Sequence, residues 1–216
     1  MRTTKYGLLA LLLAAASPSV ATPGVDADWI LARLARPAPM RTSFVELRGS
    51  RLLKTPLRIE GEYQRPSDDT LVREVRVPYA ETTTIVSGKA GAGEVTIARY
   101  GKPSRRFSLS RVPELAGLQA SFGALLAGDR VLLERHYRLA PHGTRQQWTL
   151  ALTPKDAALA AKVRTITLYG RGAELRCIET QPAKSGEVQR TLLASAARAV
   201  GASVDADGFA ALCHGV

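Results

Sequence analysis

Hydrophobic and polar positions alternate along much of the chain, and this pattern predicts β-strands. In the segment PLRIEGEYQRP, Leu57, Ile59 and Tyr63 fall on one side, and the residues between them are mostly polar. Successive side chains of a strand point to opposite faces, so this segment predicts a strand with one apolar face. Arg65 breaks the pattern, because it falls on the apolar face directly before Pro66.

Similar alternation recurs in ten further segments, most of them separated by Gly or Pro. Many have one apolar and one polar face, which favours a single curved antiparallel sheet that is wet on its outer side. The sequence therefore predicts a mainly β fold of about eleven strands. The ten segments are residues 40–48, 71–77, 82–86, 94–100, 106–110, 131–139, 146–152, 163–169, 175–180 and 188–193.

Two stretches show the helical period instead. VDADWILARLAR predicts a short amphipathic helix that Asp26 or Asp28 caps. PELAGLQASFGALLAG predicts a second helix, with Pro113 in its first turn and Gly128 at its end. Residues 208–212 are weakly helical. We expect the two amphipathic helices to cover the concave side of the sheet and to leave a cavity beneath them.

The N-terminus has the features of a signal peptide. Arg2 and Lys5 precede the apolar run GLLALLLAAA, and Ser19-Val20-Ala21 provides a small-x-small cleavage site, with cleavage after Ala16 as a second possibility. No cysteine lies near either site, so a lipid anchor is not expected. We expect residues 1–21 to be removed, and residues 22–216 to form one exported, soluble domain of about 195 residues.

The chain is strongly basic, with a formal net charge of +11. In an exported protein this charge favours anionic lipid surfaces or acidic partners over nucleic acid. The arginines are scattered through the predicted strands rather than gathered in one run. A solvated basic surface is the simplest interpretation, and no nucleic-acid partner is predicted.

Cys177 and Cys213 are the two cysteines of the chain. In an oxidising compartment an even number of cysteines favours a disulfide, although two buried free thiols remain the alternative. A metal site is not predicted, because the chain has no Cys-x-x-Cys pair and no histidine at ligand spacing.

Catalytic motifs are not evident. His136, His142 and His214 accompany neither a Gly-x-Ser-x-Gly elbow nor a Ser-x-x-Lys motif. Asp68-Asp69 is typical of a turn, and GKAGAG at residues 88–93 is followed by a strand rather than by the helix of a phosphate loop. We therefore expect neither an enzyme nor a cofactor; a lipid hydrolase is the weak alternative.

Several short motifs, in order, resemble the LolA family of periplasmic lipoprotein carriers. Ser43-Phe44-Val45 resembles the family's first strand, and Gly61 and Arg65-Pro66 resemble its second. Downstream, WTLALTPKD resembles the strand that ends in Leu-x-Pro-Lys, and VRTITLYG and a further strand pair follow. Each motif is weak alone, and the similarity depends on their order behind a signal peptide.

This resemblance implies an incomplete antiparallel β-barrel with a helical lid over a hydrophobic cavity that holds acyl chains. It implies a monomeric carrier that receives lipoproteins from a LolCDE-like inner-membrane exporter and passes them to a LolB-like outer-membrane receptor. It also implies that Arg65 bonds to lid backbone and keeps the empty carrier closed; an arginine that merely reaches water is the alternative. The residues expected on the cavity side are Leu57, Ile59, Tyr63, Leu118, Phe122, Leu125, Val131, Leu133, Tyr137, Trp148, Leu150 and Leu152, and for each an ordinary core position is the alternative.

The chain departs from the family pattern in ways that bear on the cargo. The family has aromatic residues shortly after the Arg-Pro pair, whereas Ser67-Asp68-Asp69-Thr70-Leu71 follows it here. This favours a divergent member, for which a glycolipid or aryl-polyene cargo is the main alternative. A periplasmic lipoprotein-sensing module is a further alternative.

Overall fold

The computed structural model describes residues 24–48, 55–88, 93–111, 123–184 and 186–215. The expected signal peptide lies outside the described residues. So do Leu118 and Phe122, most of the second predicted helix, and residues 89–92 of the glycine-rich segment.

Eleven strands form one antiparallel sheet, as the alternation predicted. Most predicted segments match an observed strand to within a few residues. The strands are β1 (Met40–Arg48), β2 (Leu57–Ser67), β3 (Thr70–Val77), β4 (Glu81–Ser87), β5 (Gly93–Arg99), β6 (Arg105–Ser108), β7 (Tyr137–Gly143), β8 (Trp148–Pro154), β9 (Val163–Arg171), β10 (Glu174–Pro182) and β11 (Gln189–Leu193).

The sheet is an open barrel whose two edges are consecutive in sequence. Its strand order is β6-β5-β4-β3-β2-β1-β11-β10-β9-β8-β7, so β1 pairs with β11 and the first half of the chain joins the last. β6 and β7 remain as the edges. The chain between them, residues 109–136, therefore connects the two sides of the opening, and its described parts are largely helical.

Five α-helices are described in full: α1 (Ala27–Leu34), α2 (Arg130–His136), α3 (Ala157–Ala160), α4 (Ala194–Ala199) and α5 (Ala206–His214). Residues 123–127 are also helical. The predicted cap of α1 is Asp26, whose side chain accepts a hydrogen bond from the Trp29 N–H at 2.7 Å. Of the described helices, none combines the length and the apolar composition needed to cross a membrane.

The strand predicted over residues 131–139 is wrong in its first half. Residues Arg130–His136 form α2, which begins where the Asp129 carboxylate accepts a hydrogen bond from the Leu132 N–H. Leu133 and Tyr137 are buried, four residues apart, and Val131 is 67% exposed. A helical period places the first two on one face, whereas alternation would have placed all three together. The sequence signal was Asp129, a favourable N-cap directly after Gly128.

Helices partly cover both faces of the sheet, whereas the sequence predicted an outer face exposed to solvent. α1, residues 123–127 and α2 pack on the concave face. α4 and α5 pack on the convex face, where Val45, Leu192 and Phe209 are buried. The Cys177–Cys213 disulfide joins β10 to α5 on this face and confirms the pairing that the sequence favoured.

Candidate functional site

A cavity of about 550 Å³ lies between the concave face of the sheet and the helices that cover it. Its wall includes Leu34 of α1, Leu125 and Leu126 of residues 123–127, which we call the helical segment, and Leu133 of α2. Strands contribute most of the remainder. Apolar side chains predominate. The volume falls within the range of about 300–1,000 Å³ that is common for small-molecule sites.

Some residues predicted for the cavity side line the cavity. They come from β2, from the helical segment, from α2 and from the two strands that follow. These residues are Tyr63, Leu125, Leu133, Tyr137 and Leu152.

Other predicted residues lie elsewhere. Ile59, Trp148 and Leu150 are fully buried in packed core rather than in the cavity wall, and Leu57 is partly buried beside Ile59. Val131 was placed on the wrong side, because α2 turns it towards solvent.

Trp148 shows why a correct face does not ensure contact with the cavity. Its indole N–H donates to the Gly172 carbonyl at 2.9 Å, and its ring lies over Gly170. A Cβ added to Gly170 would lie 2.0 Å from the Trp148 ring, so the glycine creates the space that the ring fills. The side chain is thereby packed against the sheet and does not line the cavity.

About two thirds of the large apolar residues in the cavity wall were not predicted from the sequence. Several of these residues lie opposite predicted ones on neighbouring strands; Ile166, for example, pairs with Leu152. In an antiparallel pair, directly opposed side chains share a face, so the strand register was the missing information. The apolar residues missed are Leu34, Met40, Leu71, Ile85, Leu126, Ile166, Leu168, Leu175, Ile178 and Leu193.

Arg65 lies at the cavity end of β2, and its side chain is only 8% exposed. It pairs with Met40 in the register of β1 and β2, and Met40 lines the cavity. One guanidinium nitrogen donates to the Arg36 carbonyl at 2.6 Å, and the other contacts the Asp68 carboxylate at 2.8 Å. The arginine that interrupted the apolar stripe is therefore bonded to the backbone that follows α1.

The backbone around Arg36 connects three parts of the cavity wall. The Arg36 N–H donates to the Leu126 carbonyl at 2.9 Å, which joins Arg36 to the helical segment. Its side chain donates to the Ala173 carbonyl at 3.1 Å, which joins it to the turn between β9 and β10. With Arg65 bonded to its carbonyl, this residue ties α1, the helical segment and the sheet together at the cavity.

A buried polar cluster lies on the same concave face, next to the apolar wall. Glu46 is 2% exposed. Its carboxylate accepts hydrogen bonds from Arg48 at 2.8 Å, from Arg73 at 3.0 Å and from Gln189. The Arg73 guanidinium also lies over the Phe44 ring, 4.8 Å from its centroid.

Tyr63 connects this cluster to the cavity. Burial raises the pKa of its hydroxyl, and the positive charge of Arg73 opposes this effect only in part. Because the pKa moves up from an already high value, the hydroxyl stays neutral at ordinary pH. Tyr63 thus contributes a neutral aromatic surface to the cavity wall.

One group of possible metal ligands occurs among the described residues. Glu179, Cys213 and His214 have ligand atoms within 4.8 Å of one another. The Cys213 sulfur is in the disulfide and provides no thiolate, and the His214 ring nitrogen lies 3.0 Å from the Glu179 carboxylate. These residues therefore belong to the packing on the convex face of the sheet and do not form a metal centre.

A comparison with known protein families shows to which family this chain belongs. The family model for outer membrane lipoprotein carrier protein LolA-like proteins matches residues 15–216, which is nearly the whole chain. The chain belongs to this LolA-like family. The resemblance seen in the strand motifs is thereby confirmed, and the eleven-stranded open sheet is the fold on which its cavity is built.

Solved structures with similarity to this LolA-like chain are distant. A LolA superfamily protein from Nitrosomonas europaea is 12% identical, with a TM-score of 0.40 over 79% of this chain and 92% of that one. LprF from Mycobacterium bovis is 14% identical, with a TM-score of 0.32 over 81% and 94%. Among curated proteins none matches. The family assignment rests on the family model and not on these structures.

Proposed function

We propose that this LolA-like chain is a carrier that holds the acyl chains of a lipoprotein in the cavity and transfers them towards the outer membrane. The apolar cavity beneath α1, residues 123–127 and α2 is the observation that carries the proposal. The family description, a lipoprotein carrier, supports it. The proposal includes export to the periplasm after removal of residues 1–21, a non-enzymatic and cofactor-free action, and a monomeric state.

The energetics of acyl binding suit such a cavity. Burial of each methylene group contributes about 0.8 kcal/mol, so a sixteen-carbon chain gains roughly 12 kcal/mol. Weak polar interactions that close the cavity can regulate entry without preventing it. The proposed donor and acceptor are a LolCDE-like exporter and a LolB-like receptor.

Mass spectrometry of lipids extracted from the protein, purified from its native source, tests the identity of the cargo. Acylated lipoprotein is the expected result. A glycolipid or aryl-polyene ester would keep the carrier function and replace the cargo. Protein that carries no lipid, and that binds no acyl probe added in vitro, would contradict the proposal and favour the lipoprotein-sensing alternative.

Replacement of Ile178 by tryptophan is expected to weaken binding of a fluorescent fatty acid at least tenfold. Ile178 lies on β10 in the cavity wall, so the larger ring would project into the space that the acyl chain needs. Val131→Trp is the matched control, because Val131 is exposed on α2. Fluorescence titration measures both, and equal affinities would show that the probe binds outside the cavity.

Arg65→Leu is expected to keep the fold and to slow the release of cargo roughly 10- to 100-fold. We propose that the Arg65–Arg36 bond holds the empty cavity closed and that cargo must break it. A charge-assisted bond of this kind contributes about 1.5–3 kcal/mol, and its loss would favour the open, loaded state. Transfer of a fluorescent acyl probe to acceptor vesicles measures the rate.

Asp68→Asn provides the control for Arg65→Leu. It removes the ion pair to Arg65 and leaves the bond to the Arg36 carbonyl in place. Because the Asp68 side chain is 81% exposed, we expect less than a threefold change in the release rate. If Arg65→Leu releases cargo no more slowly than Asp68→Asn, Arg65 does not act as the latch.

A further inference from the structure

Two neighbouring turns at one end of the sheet carry an exposed apolar surface within a basic one. They are residues 76–81, between β3 and β4, and residues 99–106, between β5 and β6; together we call them the basic tip. Tyr100 is 91% exposed and Val77 is 45% exposed. These are two of the four large hydrophobic residues that are exposed in the described parts of the chain.

The basic tip is ordered by its own hydrogen bonds. The Tyr100 N–H donates to the Ala80 carbonyl at 3.2 Å, which fastens the two turns to each other. Glu81 pairs with Arg99 in the sheet register, and the Lys102 N–H donates to the Arg99 carbonyl at 3.1 Å. The Tyr100 ring is therefore held out in solvent by a defined turn, although burial of so large an apolar side chain would be favourable.

The charge of the basic tip is strongly positive. Its sequence holds five cations, Arg76, Arg99, Lys102, Arg105 and Arg106, and a single carboxylate, Glu81. Arg99 is paired with that carboxylate, and Arg76 and Arg106 contact Glu74 and Glu94 on the adjoining strands. Over the described part of the chain, the Lys102 and Arg105 side chains have no ion-pair partner, so they project an uncompensated charge beside Tyr100.

We propose that the basic tip docks on the surface of an anionic lipid bilayer. A tyrosine ring is suited to the headgroup region, where its apolar body enters the boundary and its hydroxyl stays wet. Lysine and arginine beside it bind anionic headgroups, and each contributes about a fivefold gain in binding. The two turns together hold fourteen residues, fewer than the roughly 20–30 that each side of a specific protein complex uses, which favours the lipid surface over an acidic protein.

Docking at this position is independent of the proposed cargo site. Arg65 lies opposite Met40 near the end of β2. Two residues further along β2, Ser67 pairs with Thr70, Thr70 pairs with Val86, and Val86 pairs with Glu94. The basic tip lies at the other ends of these same strands. Substitutions in it leave the cavity wall unchanged, so loss of docking and loss of cargo binding are separate results.

Flotation with vesicles tests the proposal on the mature chain. The anionic vesicles contain phosphatidylcholine with about 30% phosphatidylglycerol, since anionic lipid attracts basic segments. We expect the fraction of protein that floats with them to be at least tenfold higher than with pure phosphatidylcholine vesicles. Binding should fall as NaCl is raised, because salt screens exposed charges. Lys102→Glu/Arg105→Glu and, separately, Tyr100→Ser should each reduce flotation at least fivefold.

Matched controls distinguish a local site from general charge. Arg138→Glu/Arg198→Glu changes the net charge by the same amount at exposed positions outside the basic tip, and Val131→Ser removes another exposed apolar side chain. Both should keep at least half of the wild-type flotation. Equal losses in test and control variants would overturn the proposal. A wild-type protein that does not float with anionic vesicles would also overturn the proposal. An acidic protein would then be the favoured partner of the basic tip.

Discussion

Replacement of Cys177 and Cys213 by alanine is expected to lower the free energy of unfolding by about 3–4 kcal/mol, as the chain-entropy treatment of a 36-residue loop gives. The disulfide is fully buried between β10 and α5, where it fixes the end of the chain to the convex face of the sheet. Urea denaturation followed by circular dichroism measures the change. The melting temperature should fall by several degrees as well.

The double variant contains its own control. Reducing agent should destabilise the wild-type protein to nearly the same extent, and it should leave Cys177→Ala/Cys213→Ala unaffected. Because the sulfurs are buried, reduction is to be carried out in urea near the midpoint, where the bond becomes accessible. A wild-type protein whose denaturation curve is the same with and without reductant would show that the bond contributes nothing to stability.

Glu46→Ala is expected to lower the free energy of unfolding by about 3–5 kcal/mol, because removal of one partner leaves buried opposite charge unpaired. The Glu46 carboxylate is almost completely buried and binds Arg48, Arg73 and Gln189 together. We expect a loss at the lower end of this range, about 3 kcal/mol, because the Arg48 side chain is 50% exposed and water can hydrate it once Glu46 is removed. Urea denaturation again provides the measurement.

Glu94→Ala provides the matched control for the buried carboxylate. Glu94 pairs with Arg106, and both side chains are about half or more exposed. Loss of such an exposed pair costs about 0–1 kcal/mol. The double variant Glu46→Ala/Arg73→Ala should lose less free energy of unfolding than the sum of the losses in the two single variants. The second substitution removes a charge that the first left unpaired. Similar costs for Glu46→Ala and Glu94→Ala would show that the buried cluster does not stabilise the fold.

The alternating segments were sufficient to predict the sheet. In β2, Leu57, Ile59 and Tyr63 all face the same side in the structure, as their spacing required. Local signals also predicted α1, because an aspartate cap and a one-sided apolar stripe do not depend on distant parts of the chain. Pairing of Cys177 with Cys213 followed because the chain has only these two cysteines.

The prediction failed where two periods fit the same residues. Val131, Leu133 and Tyr137 are two and four residues apart, so alternation and a helical turn both account for parts of the set. The Asp129 cap and the packing of Leu133 beneath α1 favour the helix. Short segments of this kind are decided by what they pack against, which the local pattern does not contain.

The sequence by itself determined most of the strands, the apolar face of β2, the first helix and the family to which the chain belongs. The tertiary structure alone decided which apolar residues surround empty space. Ile59, Trp148 and Leu150 share the concave face with Tyr63 and Leu152, but only the last two line the cavity. Burial removes apolar surface from water equally well in a packed core and in a cavity wall, so both select the same residue types. The cavity lies where the covering helices do not fill the space above the sheet, and contacts such as Arg65 with Arg36, far apart in sequence, join those helices to the sheet.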